Sequence, residues 1–274
     1  MQSETDIDKE TTSSLPDELV LEILSHALWL PDDQFESQSD FPLIRSARCL
    51  AVCKSWFRIG IPLLYHSVVL RSSLQAEALA LSLRENKSRG RLIERLRIEG
   101  GYGGATYNIV KAASKVKVLC LTLYISASDN VSGLRRALPM LRPTRVVLYD
   151  QIRRGLDNQQ TITLHETLNS CITKWKTMKQ LYFPYSEAMG LHSTSTPVDA
   201  LSQAIKDAPS LRELEMPFGY SFPKHLMTMA ENPHLRVIRV YRKHTHAGVT
   251  FNFEHAVESV SRLKELVVFV DDPL

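Results

Sequence analysis

"RLRIEGGYGGATYN", residues 95–108, admits two folds, and the choice between them decides the architecture of most of the chain. In its first half Leu96 and Ile98 alternate with Arg95, Arg97 and Glu99, the pattern of a half-buried strand. Its second half is a glycine-rich turn that leads into helix-compatible residues. A strand, a glycine turn and a helix also open a doubly wound, dinucleotide-binding sheet. That fingerprint requires glycine at three positions, in the order G-x-G-x-x-G. Gly101 and Gly103 supply the first two, but Thr106 stands at the third. No acidic residue follows at the distance where a ribose contact belongs. The turn therefore reads as a plain loop, and no cofactor is expected.

The strand belongs to a series in which an apolar residue, two spacers, an apolar residue, one spacer and an apolar residue recur. The copies are Tyr65/Val68/Leu70, Ile93/Leu96/Ile98, Val116/Leu119/Leu121, a weaker Pro143/Val146/Leu148, Met178/Leu181/Phe183, Leu211/Leu214/Met216, Leu235/Ile238/Val240 and Leu263/Leu266/Val268. Successive copies start 28, 23, 27, 35, 33, 24 and 28 residues apart. Helix-compatible runs lie between them, among them "SLQAEALALSLREN", "TLHETLNSCITKW" and "PVDALSQAIKDAP". A strand and a helix per unit predict an α/β chain with a parallel sheet. No single unit buries its apolar face, so neighbours stack and share a core.

The chain has 274 residues, 44% hydrophobic and 23% charged, which is ample for a large core. The richest apolar run, "VLCLTLYI" at 118–125, is too short to cross a bilayer. Cys49, Cys53, Cys120 and Cys171 form neither a CxxC pair nor a zinc-type spacing with histidine, so a reducing, intracellular setting (cytoplasm or nucleus) is expected. Residues 1–40 carry eleven acidic side chains and one basic, and the rest of the chain is correspondingly basic. Residues 1–13 read as a disordered acidic tail rather than a secretory signal.

"SSLPDELVLEILSHAL", residues 13–28, carries a helix-start signal. Pro16 suits the first helical turn, and Asp17 and Glu18 sit at the positive end of the helix dipole. Leu15, Leu19, Val20, Ile23, Leu24 and Leu28 follow at helical spacing. After the acidic stretch "WLPDDQFESQSDFP", which reads as a loop, a second helix is expected from about Ile44 to Ile59. Its apolar residues do not keep to one stripe: Ala47, Ala51 and Val52 lie on one side, and Cys49, Leu50, Cys53, Trp56 and Phe57 mostly on another. Such a helix needs cover on more than one face.

The order "LPDEL…EIL…AVCKSW…PLLY" resembles an F-box, the module that docks a substrate receptor on the Skp-type adaptor of a cullin–RING ubiquitin ligase. The strand–helix series resembles a divergent leucine-rich-repeat solenoid, and the two together look like many fungal substrate receptors. The resemblance implies an all-helical F-box over residues 14–65 and an irregular solenoid with a parallel sheet over 66–274. It implies adaptor contacts from Leu15, Pro16, Leu19, Ile23, Leu24, Leu50, Val52, Cys53 and Trp56. It also implies a target protein on the inner face of the solenoid, where Tyr149, Tyr182, Arg239, Tyr241 and Phe269 are the candidate contacts. A non-ligase interaction scaffold and a nucleotide-binding α/β enzyme stay open as other readings.

No sequence signal for catalysis accompanies these features. There is no GxSxG elbow, HExxH pair or P-loop. His244, His246 and His255 lack a carboxylate or thiolate nearby in sequence to complete a metal site. Cys53 beside Lys54 has no base or pocket indicated, so it reads as a compact apolar residue next to Trp56. No catalytic residue, metal, small-molecule substrate or membrane is expected. Nucleic acid is not an expected partner either, because the basic residues recur singly or in pairs without an aromatic platform.

Overall fold

The computed structural model describes residues 15–36, 47–123, 125–149, 158–183, 197–217, 223–242 and 257–271. The acidic tail over 1–13, Ile44 and the three histidines 244, 246 and 255 lie outside the described residues. The chain divides into two compact units, one holding residues 15–29 and 47–64 and the other 30–36 and 65–271.

The first unit is helical. Helix α1 spans Asp17–Leu28, a 3-10 turn spans Ala47–Ala51, and a further helix runs over Lys54–His66, passing into the second unit after Leu64. The expected continuous helix from Ile44 to Ile59 is corrected: the chain breaks at Val52 and Cys53, and the helix that follows continues through Pro62. Val20, Leu24, Leu28 and Leu50 form the buried cluster, with Trp56, Ile59, Leu63 and Leu64 packed against it. Gly60 permits the close approach of the helices, since a Cβ there would lie 2.2 Å from Leu50 Cδ2. Asp17 accepts hydrogen bonds from the Arg58 guanidinium and from Ser55 Oγ, at 3.1 Å for the latter, and ties the start of α1 to the later helix.

The second unit alternates strands and helices. A one-turn helix α2 (Asp32–Phe35) precedes the long helix, which is α3. The rest is β1 (Ser67–Leu70), α4 (Ser73–Glu85), β2 (Arg95–Ile98), α5 (Gly103–Ala112), β3 (Val118–Thr122) and α6 (Ser132–Ala137). It continues with β4 (Arg145–Tyr149), α7 (Gln159–Ile172), β5 (Gln180–Tyr182), α8 (Pro197–Lys206), β6 (Glu213–Pro217), α9 (Pro223–Ala230), β7 (Val237–Arg242), α10 (Ser261–Leu266) and β8 (Val267–Asp271). All eight strands are parallel and lie in sequential order, β1 to β8. The order never reverses, so the sheet has no switch point of the doubly wound kind. From α4 to α9 each helix packs on the next, and α10 on α9.

The repeated apolar positions set the register. Val68, Leu96, Leu119, Val146, Leu181, Leu214 and Ile238 pair one after another across seven strands. Their side chains, with Ile93, Val116, Met178, Leu211 and Leu235 from the strand approaches, form one core with the helices. The residue before each of β3 to β6 repeats one bond: the amide of Lys117 donates to Glu94 O, Thr144 to Lys117 O, Lys179 to Thr144 O and Arg212 to Lys179 O, each at 2.8 Å. The last copy departs from this register. Ile238 pairs with Val267 and Val240 with Phe269, where the template expects Leu266 and Val268. A slip of one residue exchanges the faces of a strand. Val267 and Phe269 consequently pack on the core, and Val268 is left exposed.

The glycine turn that opened the sequence reading is explained by packing. Gly103 has φ +54°, and its amide donates to Asn130 O at 2.8 Å while Asn130 N donates to Gly101 O at 3.0 Å. A Cβ on Gly133 would meet Gly103 O at 1.6 Å. The glycines let two successive units touch through their backbones.

Candidate functional site

Two surfaces stand out. On α1, Val20, Leu24 and Leu28 face the buried cluster at intervals of four residues. Leu19 and Ile23 form a second row at the same spacing, Leu15 lies just before the helix, and Leu15, Leu19 and Ile23 are 50, 52 and 44% exposed. Val52 is 63% exposed at the break before α3, and Pro16, Cys53 and Phe57 are exposed as well. Trp56 is half-buried against the unit's own cluster. Leu24 and Leu50, expected to meet an adaptor, are buried in that cluster, which corrects their assignment. Their apolar spacing fits either role in the sequence, because α1 carries two apolar rows.

The second surface is the sheet face opposite the helices. Alternation sends Arg95, Arg97, Cys120, Arg145, Val147, Tyr149, Tyr182, Glu213, Glu215, Arg239 and Tyr241 to that face, away from the core rows. Residues 30–36 cover part of it. Phe35 is fully buried, with the Arg95 guanidinium 4.2 Å from its ring centroid. Phe35 O accepts from Arg97 Nη1 at 2.9 Å and from Tyr149 Oη at 3.2 Å. Arg145 grips Glu36 with Nε at 2.9 Å and Nη2 at 2.8 Å, and grips Glu215 with Nη1 and Nη2, both at 3.0 Å. Arg95 donates to Leu30 O at 2.6 Å and pairs with Asp32 at 2.8 Å. Burial works against the charge of Arg145, but its hydrogen bonds to Glu36 and Glu215 more than offset this, and its pKa is raised.

The expected target contacts fall in three environments. Tyr149 is on this face but is buried, its hydroxyl donating to Phe35 O, so it is closed to a partner while residues 30–36 are in place. Tyr182, Arg239 and Tyr241 are half-buried on the same face, beyond the contacts that Phe35 and Glu36 make with Arg95, Arg97, Arg145 and Tyr149. There the Arg239 guanidinium hydrogen-bonds Glu213 and holds its carboxyl below the usual range, and Tyr241 Oη donates to Glu215 at 3.4 Å. Phe269 is not on that face, because the one-residue slip places it on the core side. Sequence reading missed Arg95, Arg145, Glu215 and the whole of 30–36 as site residues. The available signal was charge: an acidic stretch, Asp32, Asp33 and Glu36, precedes a basic repeat region.

Burial pushes the Cys120 thiol up to about 12 and the Cys171 thiol to about 11, so neither is a thiolate at neutral pH. Among the described residues no cluster of His, Cys, Asp and Glu is large enough to hold a metal ion. On the helical side, Arg84, Lys87, Arg91 and Lys111 line an open cleft of about 780 Å³ between α4 and α5. No helix among the described residues is long and apolar enough to cross a membrane.

No protein-family model matches the chain, and a search of curated proteins returns no match. The functional reading therefore rests on the residues themselves.

Proposed function

We propose that the chain is a non-catalytic substrate receptor: an F-box-like first unit docks on a Skp-type adaptor and through it a cullin, and a leucine-rich-repeat-like second unit presents a target protein for ubiquitylation. The observation that carries this reading is a second apolar row at the start of and along α1. Leu15, Leu19 and Ile23 stay exposed beside a buried row that already satisfies the unit's own packing. Among the described residues the first unit's cluster has four buried apolar side chains, a small core for an independent module. A partner laid over Leu15, Leu19 and Ile23 would cover this row and gain hydrophobic stabilisation. The order of residues that resembles an F-box supplies the identity of that partner.

In this reading the chain makes and breaks no bond. It raises the concentration of target lysines beside an activated ubiquitin, and the acceleration is one of proximity. The test is isolation of the tagged chain under native conditions, with adaptor and cullin measured in the eluate. Both are expected with the wild-type chain and absent from a Leu19→Asp, Ile23→Asp variant. Absence from the wild-type eluate contradicts the proposal.

A further inference from the structure

The face of β2 to β4 opposite the core holds residues 30–36 as a protein holds a peptide, and we infer that it is a recognition site for an acidic–aromatic segment, occupied here by the chain's own copy. The bound stretch reads Asp32-Asp33-Gln34-Phe35-Glu36. Each distinctive group has a matching receptor group. The Phe35 ring lies under the Arg95 guanidinium, its carbonyl takes bonds from Arg97 and Tyr149, and Glu36 takes the two-pronged grip of Arg145. Asp32, three residues before the aromatic, pairs with Arg95. Paired guanidinium–carboxylate bonds and a fully buried aromatic are the features that dominate peptide recognition.

The stretch behaves as a ligand of the sheet rather than as part of it. Its helix has four residues, too few to hold its shape without the surface beneath. The eight strands pair with one another without it. Leu30 and Phe35 are buried but do not belong to the core cluster, which lies on the other side of the sheet. Two of the receptor arginines keep counter-ions when the stretch leaves, Glu215 for Arg145 and Glu99 for Arg97, whereas Asp32, paired with Arg95, leaves with the stretch. Release therefore strands no buried arginine of these two without a carboxylate, the outcome that makes a broken ion pair expensive.

Resting on the receptor reading, the site names the class of target: a segment in which an aromatic residue is followed directly by a carboxylate and preceded three positions earlier by another. The chain's own copy then acts as a built-in competitor. A tethered copy acts at roughly millimolar effective concentration, so only a tighter-binding or multiply attached target displaces it.

The experiment uses the full chain and a fluorescent peptide of residues 30–37, LPDDQFES, followed by anisotropy without any adaptor present. A Phe35→Ser, Glu36→Ser chain is expected to melt cooperatively and to bind the peptide at least about tenfold more tightly than the wild-type chain does. A peptide carrying Phe35→Ala and Glu36→Ala should lose that binding. A Glu36→Gln chain, which removes one charge, should fall between the two. Peptide binding equal in the wild-type and doubly substituted chains overturns the inference, as does a folded double variant that binds nothing. Loss of cooperative folding in the double variant overturns it as well, because the stretch would then be part of the fold. A Glu36→Gln chain indistinguishable from wild type has the same force. None of these outcomes bears on adaptor docking, so the two proposals fail separately.

Discussion

His165 shows how one side chain links packing to conditions. It is buried on α7 and its Nε2–H donates to Leu123 O at 2.8 Å. Burial lowers its pKa below the ordinary 6.5, and the hydrogen bond only partly opposes this. Between the lowered value and 6.5 the unfolded chain binds a proton there and the folded chain does not, so stability is complete above 6.5 and falls as pH drops through that window. Denaturant melts of the wild-type chain and of His165→Gln at successive pH values should show the glutamine variant with the shallower dependence. Thiol reactivity gives a second residue-level check. Cys53 is exposed, whereas Cys120 and Cys171 are buried with raised pKa values. A maleimide is expected to modify Cys53 in the native protein, and Cys120 and Cys171 only once the chain is unfolded.

At the scale of elements, the close contact of α1 with α3 depends on Gly60. A Cβ there would meet Leu50 Cδ2 at 2.2 Å and the tips of Leu24 and Leu28 at 3.2 and 3.3 Å. Gly60→Val is expected to overpack the site and destabilise the first unit by about 1–3 kcal/mol, read by thermal or denaturant unfolding. The last strand offers the complementary test. With the slipped register, Phe269→Ala should destabilise by about 1–3 kcal/mol and Val268→Ala by no more than about 0.5 kcal/mol. The opposite order would restore the unslipped register. That slip was not legible in the sequence: Leu266, Val267, Val268 and Phe269 are all apolar, so either alignment satisfies the template. A strand such as β2 was legible because Leu96 is flanked by Arg95 and Arg97, which do not suit the core row. The stretch 30–36 was missed for another reason. One turn of helix has no periodicity to detect, and its partners Arg95, Arg97 and Arg145 lie 62 to 109 residues away.

At the scale of the whole molecule, the two units divide the work of the proposed receptor. The sequential sheet carries residues 30–36 on the face opposite its core, and the first unit carries an apolar row that is exposed among the described residues. Of that row, Leu15, Leu19 and Ile23 were legible in the sequence from helical spacing and resemblance. Which of two apolar rows faces the core was not, since spacing alone does not distinguish Ile23 from Leu24. The most direct test is calorimetric titration of the purified chain with a purified Skp-type adaptor, alongside the Leu19→Asp, Ile23→Asp variant. The account predicts saturable binding by the wild-type chain and a loss of at least about tenfold in affinity for a variant that still unfolds cooperatively, as expected when anchors of about 1.4 kcal/mol or more are removed. No binding by the folded wild-type chain, or equal binding by the two proteins, would contradict it.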